Sequence, residues 1–355
     1  MAAAGEEAAD ASSPHLRHAP LLLFDHDGKE ETDDDGRHHQ AASDGTFFFF
    51  YSIPSKQGLH RRVDEMKDHR YWTTPQGWLV MAARSSPATF LWDPFTGARI
   101  SLPPDCEGFL RAGGGHIRCL LSCKPAQHEF GRRRHLVVLA VDLLQTVLWY
   151  CPLGGGDERW MKHEYDLATV GAATLSELPY CIRTLTSVGD KFFMELFQKQ
   201  VVTLEFSPEP LFTVIPVRRA HSTSVPPCNG GSTTKFVESH GYLFCIRFSS
   251  SGYQYNNRSS IVRVQVSRLD FSARAWVEVD SLDGRAFLVH PQFGASLDDP
   301  QQVGLTGDCI YYCMSGDKAV QVYDMKRGTT SMRNPGTCIE DRSSAMLLMP
   351  TIPMC

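Results

Sequence analysis

One segment of the sequence places histidine and cysteine side chains close enough together to suggest metal binding. His116, Cys119, Cys123 and His128 fall within thirteen residues, and zinc takes such ligands in tetrahedral sites. Their spacing matches no zinc-finger pattern, the chain has no Cys-x-x-Cys pair, and residues 117–122 are typical of a strand. We therefore expect buried thiols here and no metal site.

Three other local patterns suggest chemistry but lack what that chemistry requires. The segment 25–28 (Asp-His-Asp-Gly) has the composition of a calcium-loop start, but glutamate and glycine occupy the sixth and twelfth positions, where such a loop needs glycine and glutamate. Ser315 and Lys318 match the Ser-x-x-Lys pair of some serine enzymes, which requires a helix start, whereas this segment is typical of a hairpin turn. Two triple-glycine stretches lack the Gly-Lys-Ser/Thr ending of a phosphate loop, at 113–115 and 154–156. We expect no catalytic residues, no cofactor and no enzymatic activity.

The eleven cysteines of the chain are expected to be reduced and mostly buried. Their number is odd, and the first residues lack the basic and apolar regions of a signal peptide. Cys309, Tyr311 and Cys313 face the same way along one strand because side chains alternate with a period of two, which favours core packing. We expect a cytoplasmic or nuclear protein.

The charge distribution argues against nucleic acid and membranes as partners. The net charge is −5, and the first 45 residues hold three basic and eleven acidic side chains, so the remainder is only slightly basic. A nucleic-acid-binding domain normally shows a strongly basic face. No apolar run approaches the roughly 18 residues of a membrane-spanning helix. The composition is that of a soluble globular protein.

Short apolar runs between turn residues recur along the chain, and they predict an all-β fold. The runs form hairpin-like units, each beginning near a small turn residue; the clearest start near residues 77, 189, 240 and 307, with less regular ones near 45 and 135. A ring of four-stranded sheets leaves few exposed strand edges and uses repeats of about 40 to 50 residues. We predict a single β-propeller of six or seven blades, expected to be a monomer.

The predicted propeller occupies residues 20–350, between a disordered leader at 1–19 and a short tail at 351–355. Within it, the acidic tract at about 25–44 is expected to be a loop between the first two strands, Leu21–Phe24 and Phe47–Tyr51. A block of like charges repels itself and favours such a solvated loop.

Over about residues 20–335 the sequence resembles a plant family, the F-box-associated β-propeller domain of unknown function, also called the KIB-type propeller. The segments that carry the resemblance occur in the family's order: Pro20–Phe24, Gly77–Val80, Asp93–Gly97 with Ile100–Pro104, Phe236–Leu243, Trp276–Leu282 with Gly284–Phe287, and Gly307–Tyr312. The family's Asn-Pro turn is Asp93-Pro94 here, which keeps the turn chemistry. The implied fold places the side chains of Trp78, Trp92 and Trp276 between neighbouring blades, where each indole N–H forms a hydrogen bond at a blade margin.

The resemblance implies a function in protein recognition. Many members look like substrate receptors of ubiquitin ligases because a helical F-box precedes the propeller, whereas only 19 residues precede Pro20 here, and we expect no F-box. We therefore expect a non-catalytic propeller that binds an unknown protein client and does not bind a ligase adaptor. Two alternatives stay open: a substrate receptor whose F-box is missing from the gene model, and a propeller enzyme that acts on a small molecule or sugar.

Overall fold

Six β-sheets are arranged in a ring in the computed structural model of the chain. The structure describes residues 19–24, 47–112, 116–125, 136–156, 158–166, 182, 184–196, 200–207, 209–219, 231–250, 261–314, 319–333 and 345–351. The predicted acidic loop, the Ser315–Lys318 turn, the glycines at 113–115, His128 and most of the leader lie outside these residues.

The strands of the first three blades follow one another along the chain. They are β1 (Leu21–Phe24), β2 (Phe47–Ser52) and β3 (Gln57–Arg62) in blade 1, β4 (His69–Thr73), β5 (Leu79–Ala83), β6 (Thr89–Trp92) and β7 (Arg99–Leu102) in blade 2, and β8 (Ile117–Leu121), β9 (Leu136–Asp142), β10 (Val147–Leu153) and β11 (Met161–Glu164) in blade 3.

The last three blades have four or five strands each. They are β12 (Leu185–Val188), β13 (Lys191–Leu196), β14 (Gln200–Phe206) and β15 (Pro210–Pro216) in blade 4, β16 (Arg218–Arg219), β17 (Ser232–Ser239), β18 (Tyr242–Ser250), β19 (Ile261–Asp270) and β20 (Ala275–Glu278) in blade 5, and β21 (Ala286–Val289), β22 (Gly294–Leu297), β23 (Cys309–Tyr312), β24 (Val320–Asp324) and β25 (Thr329–Arg333) in blade 6. The final strand is β26 (Ala345–Leu348).

Helical structure in the described part of the chain is limited to three single turns. These are α1 (Asp64–Lys67), α2 (Phe109–Ala112) and a 3₁₀ turn at Pro300–Val303. No helix in that part has the length and apolar character needed to cross a bilayer. The all-β prediction is confirmed, and the predicted hairpins are the antiparallel pairs β5–β6, β13–β14, β18–β19 and β23–β24.

The ring closes between the two ends of the chain. β26 pairs antiparallel with β1, so Leu347 lies opposite Leu22 and blade 1 takes its innermost strand from the C-terminal part of the sequence. Six apolar cores then fill the six spaces between neighbouring sheets. Closure with six such spaces gives a six-bladed propeller and resolves the choice between six and seven blades.

The predicted tryptophan packing is confirmed. Trp78 lies in the core between blades 2 and 3, Trp92 in that between blades 1 and 2, and Trp276 in that between blades 4 and 5. All three are buried. Flat indole rings supply a large apolar area where two sheet faces meet, which stabilises these three blade interfaces.

The Asp93-Pro-Phe-Thr-Gly segment forms the predicted turn and also ties the end of the chain to blade 2. Asp93 Oδ1 accepts hydrogen bonds from the backbone N–H of Phe95 (2.9 Å) and of Thr96 (3.3 Å). Gly97 has φ +76°, as the turn requires. Asp93 Oδ2 accepts from the hydroxyl of Thr351 at 2.7 Å, directly after β26. The carboxylate therefore supports both the turn and ring closure.

A second buried carboxylate, Asp308, fixes the start of β23. Burial on its own raises the pKa of Asp308, but hydrogen bonds from the Leu282 N–H, the Ser281 hydroxyl, the Lys326 ammonium and the Gly284 N–H outweigh burial and hold the pKa below the usual aspartate value. A carboxyl group with a lowered pKa in the folded state stabilises the fold above its unfolded-state pKa, and this stabilisation is lost as the pH falls through the folded-state pKa.

Asp308→Asn is expected to lower the free energy of unfolding by about 1–3 kcal/mol at neutral pH, because the amide loses the charge-assisted hydrogen bonds. The deficit relative to wild type should shrink as the pH falls below the ordinary aspartate pKa of about 4. Urea unfolding across this pH range measures the difference in the free energy of unfolding between variant and wild type. The matched control is Asp280→Asn, because Asp280 is exposed. A deficit that does not change with pH would contradict the assigned role.

Candidate functional site

The innermost strand of each blade borders the central channel. In ring order these strands are β26, β4, β8, β12, β17 and β22. Blade 6 reaches the channel in an unusual way, because β21 and β22 form an added antiparallel hairpin and β21 pairs in parallel with β23. The turn of this hairpin, residues 290–293, therefore lies at the end of the ring where the innermost strands begin. We call it the channel turn.

Side chains from two other blades donate hydrogen bonds to one carbonyl of the channel turn. Arg118 Nη2 of blade 3 donates to Pro291 O at 3.2 Å, and Lys235 Nζ of blade 5 donates to the same oxygen. Thr73 of blade 2 donates its hydroxyl to Gln292 Oε1 at 3.1 Å. The channel turn thus connects blades 2, 3 and 5 across the channel.

His290 links the channel turn to blade 1. Its Nε2 lies 2.6 Å from Ala345 O at the start of β26, and its Nδ1 accepts from the Gln292 N–H at 3.3 Å. Because a carbonyl only accepts, the ring carries its proton on Nε2. Burial, aided by the charges of Lys235 and Arg118 and opposed by the Ala345 hydrogen bond, lowers the pKa of His290 to about 4. The ring is therefore neutral at physiological pH.

Two basic side chains, Lys235 and Arg118, lie next to each other at the channel turn. Burial lowers the pKa of Lys235 to about 7, and the nearby charge of Arg118 adds to this effect. Burial likewise lowers the pKa of Arg118 to about 10. Two cationic groups that lie close together and are poorly solvated destabilise each other's charge. This favours loss of a proton or the approach of an anion.

A second crossing of the channel is made by Gln76, which follows β4. Its Nε2 donates to Leu121 O at 3.1 Å in blade 3 and to Ser187 Oγ at 2.9 Å in blade 4. Its Oε1 is buried and has no hydrogen-bond partner in the described part of the chain. Buried amide oxygens in proteins normally accept a hydrogen bond, so this oxygen can accept one more.

The other candidate region is a groove between blades 4 and 5, at the end of the ring where the innermost strands end. It has a volume of about 470 Å³. We call it the interblade groove, and it is lined by Val188, Gly189, Asp190, Lys191, Phe193, Thr203, Glu205, Thr213, Ile215, Gly241 and Phe271.

Aromatic side chains form the apolar part of the interblade groove. Phe271, in the turn after β19, is 43% exposed, and its ring centroid lies 5.7 Å from that of the buried Phe193. Tyr242 follows the lining residue Gly241 and lies beside the groove, outside its lining; it is 48% exposed, with the Arg268 guanidinium stacked 4.9 Å above its ring. Large aromatic side chains that keep this much exposure are typical of interface positions.

Charged side chains border the aromatic part of the groove. Lys191 Nζ and Glu205 Oε1 form an ion pair of 2.8 Å. Asp190 is exposed in the turn between β12 and β13. The groove lining therefore combines an apolar floor with a rim that carries one more negative than positive charge.

The described residues considered for metal binding lie in different environments. Cys119 is packed in the core between blades 2 and 3, and burial raises the pKa of its thiol. His116 Nε2 lies 3.7 Å from Asp142 Oδ2, and Cys123 is half-buried. Within the described residues no three His, Cys, Asp or Glu side chains are grouped to hold a metal ion.

The other expected thiol environments are confirmed where the structure describes them. Cys309 and Cys313 share a core with Tyr311 between blades 6 and 1. Burial raises the pKa of Cys151 to about 12, and a thiol that does not ionise is inert as a nucleophile. Cys106 is exposed.

Lys235, Arg118 and Pro291 were not singled out from the sequence. Arg118 stands in the apolar run 117–121, and Lys235 directly precedes the apolar pair Phe236 and Val237. A charged side chain inside a buried strand is an available signal, because lysine and arginine are seldom buried without a partner or a role. The signal does not show which blades bring the charges together.

A search of curated protein sequences gave no significant match. Solved structures with a similar arrangement include an apocarotenoid oxygenase mutant from Synechocystis, with 13% identity, coverage of 90% of this chain and 78% of that chain, and a TM-score of 0.36. Streptogramin B lyase has 8% identity, coverage of 91% and 89%, and a TM-score of 0.32. Values this low carry no functional argument.

The sequence was also compared with models of protein families. The model of the KIB1-4 beta-propeller matches residues 50–329, which include all or most of the strands of blades 2 to 6 and the outer part of blade 1. The chain therefore belongs to the KIB1-4 beta-propeller family.

Proposed function

We propose that this propeller is a non-catalytic protein-interaction module that binds a protein client in the interblade groove. The observation that carries the proposal is the exposed ring of Phe271, which lines a groove of about 470 Å³ and packs on the buried Phe193. Binding residues are commonly placed on turns that a rigid scaffold positions, and the turns around the groove connect well-packed strands of blades 4 and 5.

The energetic argument rests on apolar burial. Aromatic anchors in desolvated pockets account for much of the binding energy of protein interfaces. Phe271 and Tyr242 retain enough exposed surface to lose further contact with water when a partner covers them. Burial of such surface contributes roughly 25 cal/mol for each Å² removed from water.

The polar rim indicates the chemistry of the client segment. Asp190 and Glu205 bring two carboxylates to the groove and Lys191 one ammonium, so a basic residue in the client is favoured over an acidic one. We expect an extended client segment with an apolar side chain for the aromatic floor and a neighbouring lysine or arginine for Asp190.

Phe271→Asp is expected to weaken client binding about tenfold or more, because it removes an apolar anchor and places a hydrated carboxylate where an apolar side chain of the client would pack. The matched control is Leu144→Asp, since Leu144 is also exposed (70%) but lies in the β9–β10 turn at the opposite end of the ring. Affinity purification with wild type and both variants identifies candidates, and titration with the purified client measures the affinity.

A client that supports the proposal is lost with Phe271→Asp and retained with Leu144→Asp. Equal binding by wild type and Phe271→Asp would contradict the assignment of the groove. Equal loss with both variants would show that the effect does not come from the groove.

A further inference from the structure

The outermost strand of blade 4, β15, has an edge that no other strand in the described part of the chain covers. β15 is the last strand of its sheet, and there it pairs with β14 on one side only. The outermost strands of the other blades, β3, β7, β11, β16 and β25, each carry at least one charged side chain, whereas β15 carries none. Charged side chains on an exposed edge discourage pairing with another strand. Among these six edges, β15 is therefore the one that lacks this protection.

The hydrogen bonds between β14 and β15 show which backbone groups of β15 point inward. Thr203 Oγ1 donates to Thr213 O at 3.4 Å, so this carbonyl faces β14. Directly past the paired residues, the Ser207 N–H donates to Glu209 O at 3.3 Å. Backbone groups alternate in direction along an antiparallel strand. The odd-numbered residues of β15 therefore direct their N–H and C=O groups to β14.

The even-numbered residues of β15 consequently direct their backbone groups to the open edge. At the two ends of the strand these residues are Pro210 and Pro216, which have no N–H and are found on edge strands for that reason. Between them, Phe212 and Val214 each present an N–H donor and a C=O acceptor to the edge. An extended segment placed beside β15 would form backbone hydrogen bonds with these two residues.

The same part of β15 forms one wall of the interblade groove. Side chains alternate between the two faces of a strand, so Leu211, Thr213 and Ile215 lie on the groove side, and the last two line the groove. Leu211 is 60% exposed. Phe271 lines the groove from blade 5. Every second side chain of a segment paired with β15 would thus lie over the groove.

The acidic side chains near the groove lie at the end where β15 begins. Glu205 is opposite Leu211 in the register of β14 and β15, and it forms the ion pair with Lys191. Asp190 is next to Lys191 in sequence, Glu209 directly precedes β15, and both carboxylates are exposed. A basic side chain is favoured over an acidic one at this end of the edge.

We propose that the protein client contributes an extended segment that adds to the four strands of blade 4 as a fifth strand, paired with β15. The segment carries a lysine or arginine beside the start of β15 and an apolar residue two positions away, next to Phe271. In this mode of recognition the backbone hydrogen bonds supply affinity and the alternate side chains supply specificity. The inference rests on the proposed function, because the added strand belongs to the same client, and it specifies how that client is held.

The test uses a phage-displayed library of random peptides of the same length as β15, seven residues, selected on the full chain. The enriched peptides are synthesised, and their affinities are measured by fluorescence anisotropy. Val214→Pro removes an outward N–H without removing a hydrogen bond to β14. The matched comparison is Val214→Ala, which trims the same side chain but keeps the N–H. We expect Val214→Pro to bind about tenfold or more weakly than Val214→Ala, and circular dichroism verifies folding of both.

A second measurement places the change in the peptide and uses the wild-type chain, so it decides the matter if Val214→Pro does not fold. One backbone nitrogen of the peptide is methylated at a time. Alternate N–H groups of an added strand face β15, so methylation at every second residue is expected to lower the affinity about tenfold or more, and methylation of the residues between them is expected to have a much smaller effect.

Equal binding by Val214→Pro and Val214→Ala, or a methylation profile without alternation, would overturn the addition of a strand. Phe271→Asp separates this failure from failure of the groove assignment. Loss of peptide binding with Phe271→Asp together with retention in Val214→Pro supports the groove and contradicts strand addition. Loss with Val214→Pro together with retention in Phe271→Asp supports strand addition and contradicts the groove.

Discussion

Leu347→Asp is expected to abolish stable folding. Leu347 is 2% exposed, lies opposite Leu22 in the β1–β26 pair and belongs to the apolar core between blades 6 and 1. The substitution removes a buried leucine, which costs about 2–5 kcal/mol, and adds a carboxylate that has no water in this core. A loss of this size is comparable to a whole domain stability of about 5–15 kcal/mol.

Closure of the ring explains why the effect is large. β26 is the innermost strand of blade 1, and among the described strands it is the one that joins that sheet to the C-terminal part of the chain. If β26 leaves, β1 becomes an unpaired edge at the channel and the core between blades 6 and 1 opens to water. Thermal and urea unfolding followed by circular dichroism measure the loss.

The matched control for this experiment is Met332→Asp, because Met332 is 65% exposed on β25, the outermost strand of blade 6. An exposed position away from special features changes stability by only about 0.5 kcal/mol. Similar unfolding midpoints for Leu347→Asp and Met332→Asp would show that β26 does not hold the ring closed.

Gly294→Ala is expected to lower the free energy of unfolding by about 1–3 kcal/mol or more. A Cβ at this position would lie 2.5 Å from Val237 Cγ2 and 2.7 Å from Phe236 O. The valine methyl group can move, but the carbonyl belongs to the backbone of β17, so the two innermost strands must separate. The separation would disturb the channel turn, which directly precedes Gly294.

Gly155→Ala is the matched control for Gly294→Ala. A Cβ at Gly155 meets no atom within 4 Å, so the same chemical change is made without a steric clash. Urea unfolding of both variants separates the clash from the general effect of replacing glycine, which can itself stabilise through the unfolded state. Equal stabilities would mean that β17 and β22 are not in close contact.

Local sequence patterns were sufficient to predict the hairpins. The segments 77–92 and 307–324 each contain two apolar runs and a turn signal, and each contains a pair of neighbouring strands in the structure. The Asp93 turn followed from the same reasoning, because its hydrogen bonds lie within four residues. Interactions that are local along the chain are encoded in short segments.

The innermost strands were less predictable. β12 and β22 have four residues each and are nearly all buried, so they show no alternation that could separate a strand from a buried loop. β22 also precedes β23 in sequence yet lies on the far side of β21 in the sheet. No local sequence pattern predicts an added parallel strand pair of this kind.

The candidate sites were even less predictable from the sequence than the innermost strands. Arg118 and Pro291 are 173 residues apart, and Lys235 and Pro291 are 56 apart. Their side chains meet only because the ring places blades 3, 5 and 6 around one channel. Phe193 and Phe271 likewise come from different blades.

The sequence by itself determined the all-β class, the hairpin units and the burial of the thiols Cys119, Cys309 and Cys313, because these follow from side-chain periodicity and turn chemistry over short distances. Only the tertiary structure decided the number of blades, the closing strand, the channel turn and the interblade groove. Each of these requires contacts between segments far apart in the chain, and their geometry is set by how six sheet faces pack around a common axis.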